Sequence, residues 1–592
     1  MKNQQFSDRR FGNGRLAKAV FAGAVGCLGV NLAMAQSPGA IIENQNKGLS
    51  LPEVRKPRPA PPVEISNTPE PAKPLASDTE KKFAVQEYSI EWSGMFPPEV
   101  REETLKAVPL RAGEYSVSSL REHVLEIAKY LRARGYVAAK AWVPPQQIAN
   151  GKTQVRVDVG AIGKISFDAG KLSPDARVDG QVPLEMREKM DQALRSVLCA
   201  GQASSPCQLM PIERASLERA LLVAGDAVNA KLYGVLNPNG SSAWLEVSPE
   251  LLPSREFEVG LDNSGSKATG RGVLKSRATF RNLAQMGDVL SLVGSTSRDW
   301  GSANFQLDYG MPLTPSGWRV GATLAKTRYE LGGDFQLLDA KGDSEIVGVY
   351  ARYPVYRSIL SQVDFRADLE HANLKNSFLG DTLREGQDSL RATLSGSHYD
   401  YLLGTGASSN WAGSVVYSDT RAKGAVSSQF DSLGGAWRLI GSVQRTQELG
   451  SGFRASASLV AQMASRSLAR TNRLFIGGPD AVRAYPIGES GGDSAAVGRL
   501  QVGWMGQVPW LARDDWRWGV GVFHDRGWAK LHANQLALST SSSEVKAGSG
   551  LEFTLIKVNQ LLLRAYVARA STGVSAQDGK RSRLGISATV AF

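Results

Sequence analysis

The sequence predicts a transmembrane β-barrel of about sixteen antiparallel strands, preceded by two small α+β domains. Three observations carry that expectation. An export leader stands at the start of the 592-residue chain, and no later run of about 18 apolar residues follows it, so helices that span a bilayer are not expected. After Pro253 the chain changes to segments of about ten residues in which apolar side chains alternate with polar or small ones, as in strands with one apolar face. The last of these segments, with Leu584, Ile586, Ala588, Val590 and Phe592, ends on an aromatic residue.

In chain order, residues 1–35 read as a signal peptide. Lys2, Arg9, Arg10, Arg15 and Lys18 form a basic head, Ala19 to Leu32 an uncharged stretch, and Ala33-Met34-Ala35 a small-residue cleavage site. The stretch is short for a membrane anchor, and Cys27 lies inside it rather than just after a cleavage site, which argues against a lipoprotein. Residues 36–81 hold a short helix around Ala40, Ile41 and Ile42, ended by Gly48, and then a linker. Eight prolines between Pro52 and Pro74 remove backbone donors and favour extended geometry there.

Residues 82–160 turn to mixed α and β. Ser119-Leu120-Arg121-Glu122 reads as a capping box, and Leu120, Val124, Ile127 and Leu131 follow on one helical face that Gly135 ends. Val137 to Val143 is a strand, and Val155, Val157 and Val159 alternate in another. The pattern recurs over residues 161–252: a strand at Ile165 and Phe167, helices over Pro183–Leu198 and Glu213–Ala224, a strand from Asn229, a turn at Asn237–Gly240, and a return strand at Trp244–Val247. Both units share the order strand, helix, helix, strand, strand. Cys199 and Cys207, an even pair in an exported chain, read as one local disulfide; two cysteines with no nearby histidine make a poor metal site.

Residues 253–592 carry the barrel pattern. Val363, Phe365, Ala367 and Leu369 oppose Asp364, Arg366, Asp368 and Glu370. A soluble sandwich would bury the apolar face against a second sheet, whereas a barrel turns it to lipid and keeps the charges in a wet lumen. About sixteen strands, short turns such as Thr314-Pro315-Ser316-Gly317, and longer intervening loops favour the barrel. The longest strandless segment covers about residues 465–497 and contains the sequence VRAYPIGESGGD, Val482 to Asp493.

That loop matches G-x-S-x-G at Gly488-Glu489-Ser490-Gly491-Gly492. A nucleophile elbow needs a strand-to-helix turn plus a histidine and an acid, but Ser490 lies between strands. The five histidines, His123, His371, His398, His524 and His532, stand in no triad or H-E-x-x-H context, so neither an enzyme nor a cofactor is expected. The net charge of +12 is spread along the chain without a basic helix or aromatic-interleaved patch, which argues against nucleic acid as a partner.

These residues together resemble the two-partner secretion transporters, the outer-membrane exporters of haemolysins and filamentous haemagglutinins within the POTRA-barrel superfamily. Ser37-Pro38-Gly39-Ala40-Ile41-Ile42 is similar to the start of that family's plug helix. Tyr130 to Val137 and Val143 to Gly151 are similar to motifs of its first POTRA domain, and Glu218-Arg219-Ala220-Leu221-Leu222 to a helix of its second. The superfamily's V-R-G-F/Y loop motif reads Val482-Arg483-Ala484-Tyr485 here, and its F-x-D partner reads Phe523-His524-Asp525 on the thirteenth strand. On that strand Trp518, Val520 and Val522 alternate with Arg517, Gly519, Gly521, Phe523 and Asp525, so with the apolar face in lipid Asp525 points into the lumen and Gly519 and Gly521 clear space beside it. The resemblance implies that Arg483 pairs with Asp525 there. Ala484, where the motif has Gly, is a departure that matters if the backbone there has positive φ. The implied function is secretion of a large β-helical exoprotein, an adhesin or cytolysin, captured by the POTRA domains. The implied site is the outer membrane, among its lipids, with Phe592 read by the barrel-assembly machinery. A barrel-assembly insertase and a passive porin are the alternatives.

Overall fold

The computed structural model describes residues 63–65 and 82–592, apart from 94–95, 148–149, 159, 173–179, 200–211, 240–241, 333–335, 338, 379–380, 424–432, 470–471, 509–514, 533–541, 572–575 and 577. The expected leader, the helix at Ala40, Ile41 and Ile42, and Cys207 lie outside the described residues.

The first α+β unit packs the helices Pro98–Ala107 and Val117–Ala133 on a sheet ordered Glu87–Ser93, Lys152–Asp158, Lys140–Trp142. Leu120, Val124, Ile127 and Leu131 repeat at helical spacing and bury one stripe against Val155 and Val157. The helix begins three residues before the expected box. Ser116 is the cap: its hydroxyl accepts from the Ser119 N–H at 3.2 Å, and the Ser119 hydroxyl accepts from the Ser116 N–H at 2.9 Å. Two serines three apart satisfy both orphan donors, and this reciprocal pair displaces the Ser119–Glu122 reading. The helix Pro98–Ala107, which opens on a proline suited to a first helical turn, was not located from the sequence.

The second unit places the helices Leu184–Leu198 and Arg214–Val228 on strands Ala230–Asn239, Ser242–Leu251 and Ala161–Phe167. The strand from Ala230 runs through Asn239, so Asn237, Pro238 and Asn239, expected in a turn, belong to the strand. Val63–Ile65 adds to the outer edge of this sheet, parallel to Gly234–Leu236. Cys199, at the end of the helix Leu184–Leu198, is disulfide-bonded. The two units are stitched together: the Val137 N–H donates to the Ile212 carbonyl at 3.1 Å, and the Arg214 N–H to the Gly135 carbonyl at 2.9 Å. Val137 consequently joins the core of the second unit.

Sixteen strands, from Arg255–Asp262 to Ser582–Ala591, close into one antiparallel barrel. At the closing seam Glu258 to Asp262 pair with Ala591 to Ser587, and Phe257 and Phe592 exchange two backbone hydrogen bonds of 3.0 Å. Burial is inverted relative to a soluble protein. Val347, Leu369, Leu390, Leu439 and Val522 are exposed on the outside, whereas Asp368, Arg391, Arg438 and Glu552 are buried inside. An outer apolar belt with charges turned inward is stable only against hydrocarbon, and closure leaves no unpaired edge there. Outward pairs such as Tyr417–Trp437 and Trp504–Trp518 supply the aromatic rings expected at the two interfaces.

The second unit is docked on the barrel. Its helix Arg214–Val228 ends on Asn229 in left-handed geometry, whose side chain donates to the Asn282 side chain and the Asp288 carbonyl, both at 3.0 Å. Arg319 donates to the Asp226 carbonyl at 2.9 Å, and Arg219 to the Val355 carbonyl at 2.8 Å. A cation at a helix C-terminus meets the partial negative charge of the last carbonyls, so the contact suits its position.

Candidate functional site

The eleventh and twelfth barrel strands, Phe453–Ala464 and Ser494–Gln507, are joined by a loop that folds back into the lumen. Its limbs are held by their own backbone. Leu474–Phe475 pairs with Gly491–Gly492, and Gly477 bridges to Val482. The root is clipped by Asp493, a fully buried carboxylate that accepts from the Leu468 N–H at 3.0 Å, Arg473 Nε at 3.1 Å and the His532 N–H at 2.8 Å.

The tip carries Arg483, at 2 % exposure, into the wall formed by the twelfth, thirteenth and fourteenth strands. On Trp516–Leu531, the thirteenth, the outward residues Val520 and Val522 are exposed and the inward residues Phe523 and Asp525 are buried. Arg483 Nε and Nη2 each reach one oxygen of Asp525 at 2.8 Å, and the Arg483 backbone N–H adds a third bond at 3.1 Å. The remaining Nη1 donates to Gln501 Oε1 at 3.0 Å and Glu552 Oε2 at 3.1 Å, and the guanidinium lies 3.4 Å from the Phe523 ring centroid. A planar fork matched to one carboxylate, with its spare donor and its face both used, holds the tip in one orientation. Arg499 approaches Asp525 at 3.6 Å and shares that carboxylate.

Val482 and Tyr485 are buried beside Arg483, and Val482, Ala484, Tyr485 and Phe523 form one apolar cluster. Ala484 does not adopt left-handed geometry, so alanine carries no backbone penalty there. Its methyl has room because the facing wall residue is Gly548, where a Cβ would come within 2.5 Å of the Ala484 Cβ. Gly527 makes the same kind of room for Ile476 and Val482. The expected spacers, Gly519 and Gly521, abut the backbone carbonyls of Trp504 and Val502 instead, lower on the strand and away from the tip.

Ser490 sits in left-handed geometry at φ 56° and its hydroxyl donates to the Glu544 carboxylate. Among the described residues no histidine lies within hydrogen-bond distance of it. The sequence identified Arg483, Phe523 and Asp525 as a group but missed Gln501 and Glu552, and also the buried pair Glu489–Lys546. Inward alternation on Ser542–Lys557 places Lys546 and Glu552 in the lumen, a signal available in the sequence. Which loop residue each meets depends on the fold of the loop.

The family described as haemolysin secretion/activation protein ShlB/FhaC/HecB matches residues 247–553, and the ShlB-type POTRA domain matches residues 83–160. The heme/hemopexin transporter protein HuxB of Haemophilus influenzae strain 86-028NP is 24 % identical over 452 residues, covering 74 % of this chain and 76 % of that one. The outer membrane transporter CdiB of Dickeya dadantii is 23 % identical over 415 residues, covering 65 % and 66 %. Among solved structures, CdiB from Escherichia coli superposes with a TM-score of 0.64 at 17 % identity, covering 90 % of this chain and 94 % of that chain. CdiB from Acinetobacter baumannii gives 0.59 at 16 % identity, covering 89 % and 93 %.

Proposed function

Because the chain belongs to the haemolysin secretion/activation protein family ShlB/FhaC/HecB, we propose that its loop tip, POTRA edges and plug segment act together to export one large β-helical exoprotein of adhesin or cytolysin type. The chain is an outer-membrane transporter of two-partner secretion, with its POTRA region in the periplasm and a secreted protein as its partner. The insertase and porin alternatives give way to that membership. The division into leader 1–35, plug and linker 36–81, POTRA domains 82–160 and 161–252, and barrel 253–592 belongs to the proposal.

The observation that carries the reading is the buried Arg483–Asp525 pair inside the closed barrel, which fixes a loop in the conduit. Val482, Tyr485 and Phe523 pack around that pair and keep water from it. The unfolded exoprotein adds as a strand to an open sheet edge, by main-chain hydrogen bonds that need no particular side chain. Of the sheet edges that carry no neighbouring strand among the described residues, the longest are the outer sides of Glu87–Ser93 and of Ala161–Phe167. The chain then moves outward without a nucleotide, drawn by its own folding outside. Ala40, Ile41 and Ile42 form a plug that occupies the lumen at rest, and Phe592 is read by the barrel-assembly machinery on the way into lipid. No catalytic role is assigned to Ser490.

Cysteine trapping tests the capture step. Glu91→Cys and Lys164→Cys variants of the full chain are paired with single cysteines along the N-terminal region of the partner exoprotein. A mixed disulfide at either edge, in register with every second exoprotein position, is the expected outcome. Trapping at neither edge, with secretion intact, would remove strand addition from the account.

A further inference from the structure

The return limb of the loop ends in a second buried ion pair. Glu489 Oε1 lies 2.6 Å from Lys546 Nζ, and the two side chains are 1 % and 3 % exposed. The same ammonium stands 4.6 Å from the ring centroid of Tyr485, itself buried. Lys546 belongs to the fourteenth strand, Ser542–Lys557, and pairs across to Gly527, two residues above Asp525 on the thirteenth. The two anchors therefore sit on adjacent strands, in inward rows about 7 Å apart along the strand.

We propose that Lys546 is a positioning residue for export: it holds Glu489 and the Tyr485 ring so that the return limb of the loop, and not its tip alone, is pinned to the wall. Arg483 fixes the tip; the Glu489–Lys546 contact, about 7 Å farther along the wall, fixes the return limb and stops it turning about the tip. Each partner also needs the other. A carboxylate or ammonium taken out of water without an opposite charge is strongly disfavoured, so loss of Lys546 expels Glu489 from the wall. The Tyr485 face gains a cation that fills its negative quadrupole, which gives the motif's tyrosine a partner distinct from that of its arginine. Glu544, at 4.0 Å from Lys546 and 57 % exposed, faces Ser490 and is a peripheral neighbour.

The inference rests on the reading that this loop serves export, so two readouts are needed. Spin labels at Ser490→Cys and Lys267→Cys in the full chain, reconstituted in liposomes, report the position of the limb, while exoprotein in the medium per inserted barrel reports export. Lys546→Met and Glu489→Lys should broaden the label distance distribution and lower export about tenfold or more, and Glu489→Lys with Lys546→Glu should restore both. An unchanged distance distribution in Lys546→Met would overturn the second anchor. A broadened distribution with undiminished export would keep the anchor and overturn the export role of the loop. For any variant that fails to insert, Glu489→Cys with Lys546→Cys replaces the ion pair by a bond. Export that is lost on reduction, relative to wild type under the same reductant, supports the anchor; equal export in both states contradicts it.

Discussion

Arg483 is an obligate cation held at 2 % exposure, and it is stable there because Nε, Nη1 and Nη2 all have acceptors and one face of the guanidinium lies on Phe523. The fit of the tip also depends on what the wall lacks. Gly548→Ala would set two methyl carbons 2.5 Å apart, closer than packed carbons approach, and would meet the Arg569 carbonyl at 3.1 Å. Overpacking of this kind costs about 1–3 kcal/mol. Export by Gly548→Ala should fall, and Ala484→Gly in the same chain should recover most of it, because the clash with Ala484 is the shorter of the two. Secretion by the single and double variants, per inserted barrel, checks this. The arginine and its carboxylate were legible in the sequence, since alternation alone turned Asp525 inward. Gln501 and Glu552 were not, because they come from the strands on either side and converge only when the barrel closes. The accommodation of Ala484 was equally hidden, for it depends on a glycine 64 positions away.

At the scale of elements, the barrel strands were the most readable part of the chain. Period-two alternation with one face in lipid tolerates no register slip, so the alternating rows from Val363 to Glu370 and from Leu584 to Val590 each fall within one strand, Ser361–Phe378 and Ser582–Ala591. Helix starts were less secure. Three serines within four residues offered competing caps, and the reciprocal Ser116–Ser119 pair prevailed. The helix Leu184–Leu198 makes its own prediction through Cys199, which is disulfide-bonded at its end. Intact mass before and after reduction and alkylation should show one bridge, assigned to Cys199 and Cys207. Loss of that bridge should destabilise the second α+β unit by about 2–4 kcal/mol at most, because the loop it closes is short. Two alkylatable thiols in protein taken from the outer membrane would reject the pairing.

For the whole molecule, the distribution of charge ties fold to function. Ion pairs such as Arg357–Asp364 and Arg366–Asp368 line the lumen, the apolar belt faces lipid, and a charged loop is buried where a transport path must run. The docking of helix Arg214–Val228 on the barrel rim connects the periplasmic units to that path through Asp226, Arg319 and Arg357. This docking is not legible in the sequence, because it joins residues more than 50 positions apart, most of them through backbone carbonyls that carry no sequence signature.

The central claim is that the loop serves export through its anchor in the wall, and its most direct test is secretion by Arg483→Ala, Asp525→Ala, the double variant and Ser490→Ala. Removing one partner of a buried pair leaves the other uncompensated, at a cost of about 3–5 kcal/mol, whereas the Ser490 hydroxyl makes one exposed contact. With exoprotein in the medium normalised to inserted barrel, Arg483→Ala and Asp525→Ala should each reduce secretion sharply, the double variant should be little worse than either, and Ser490→Ala should match wild type. Secretion abolished by Ser490→Ala and preserved in Arg483→Ala would contradict the account.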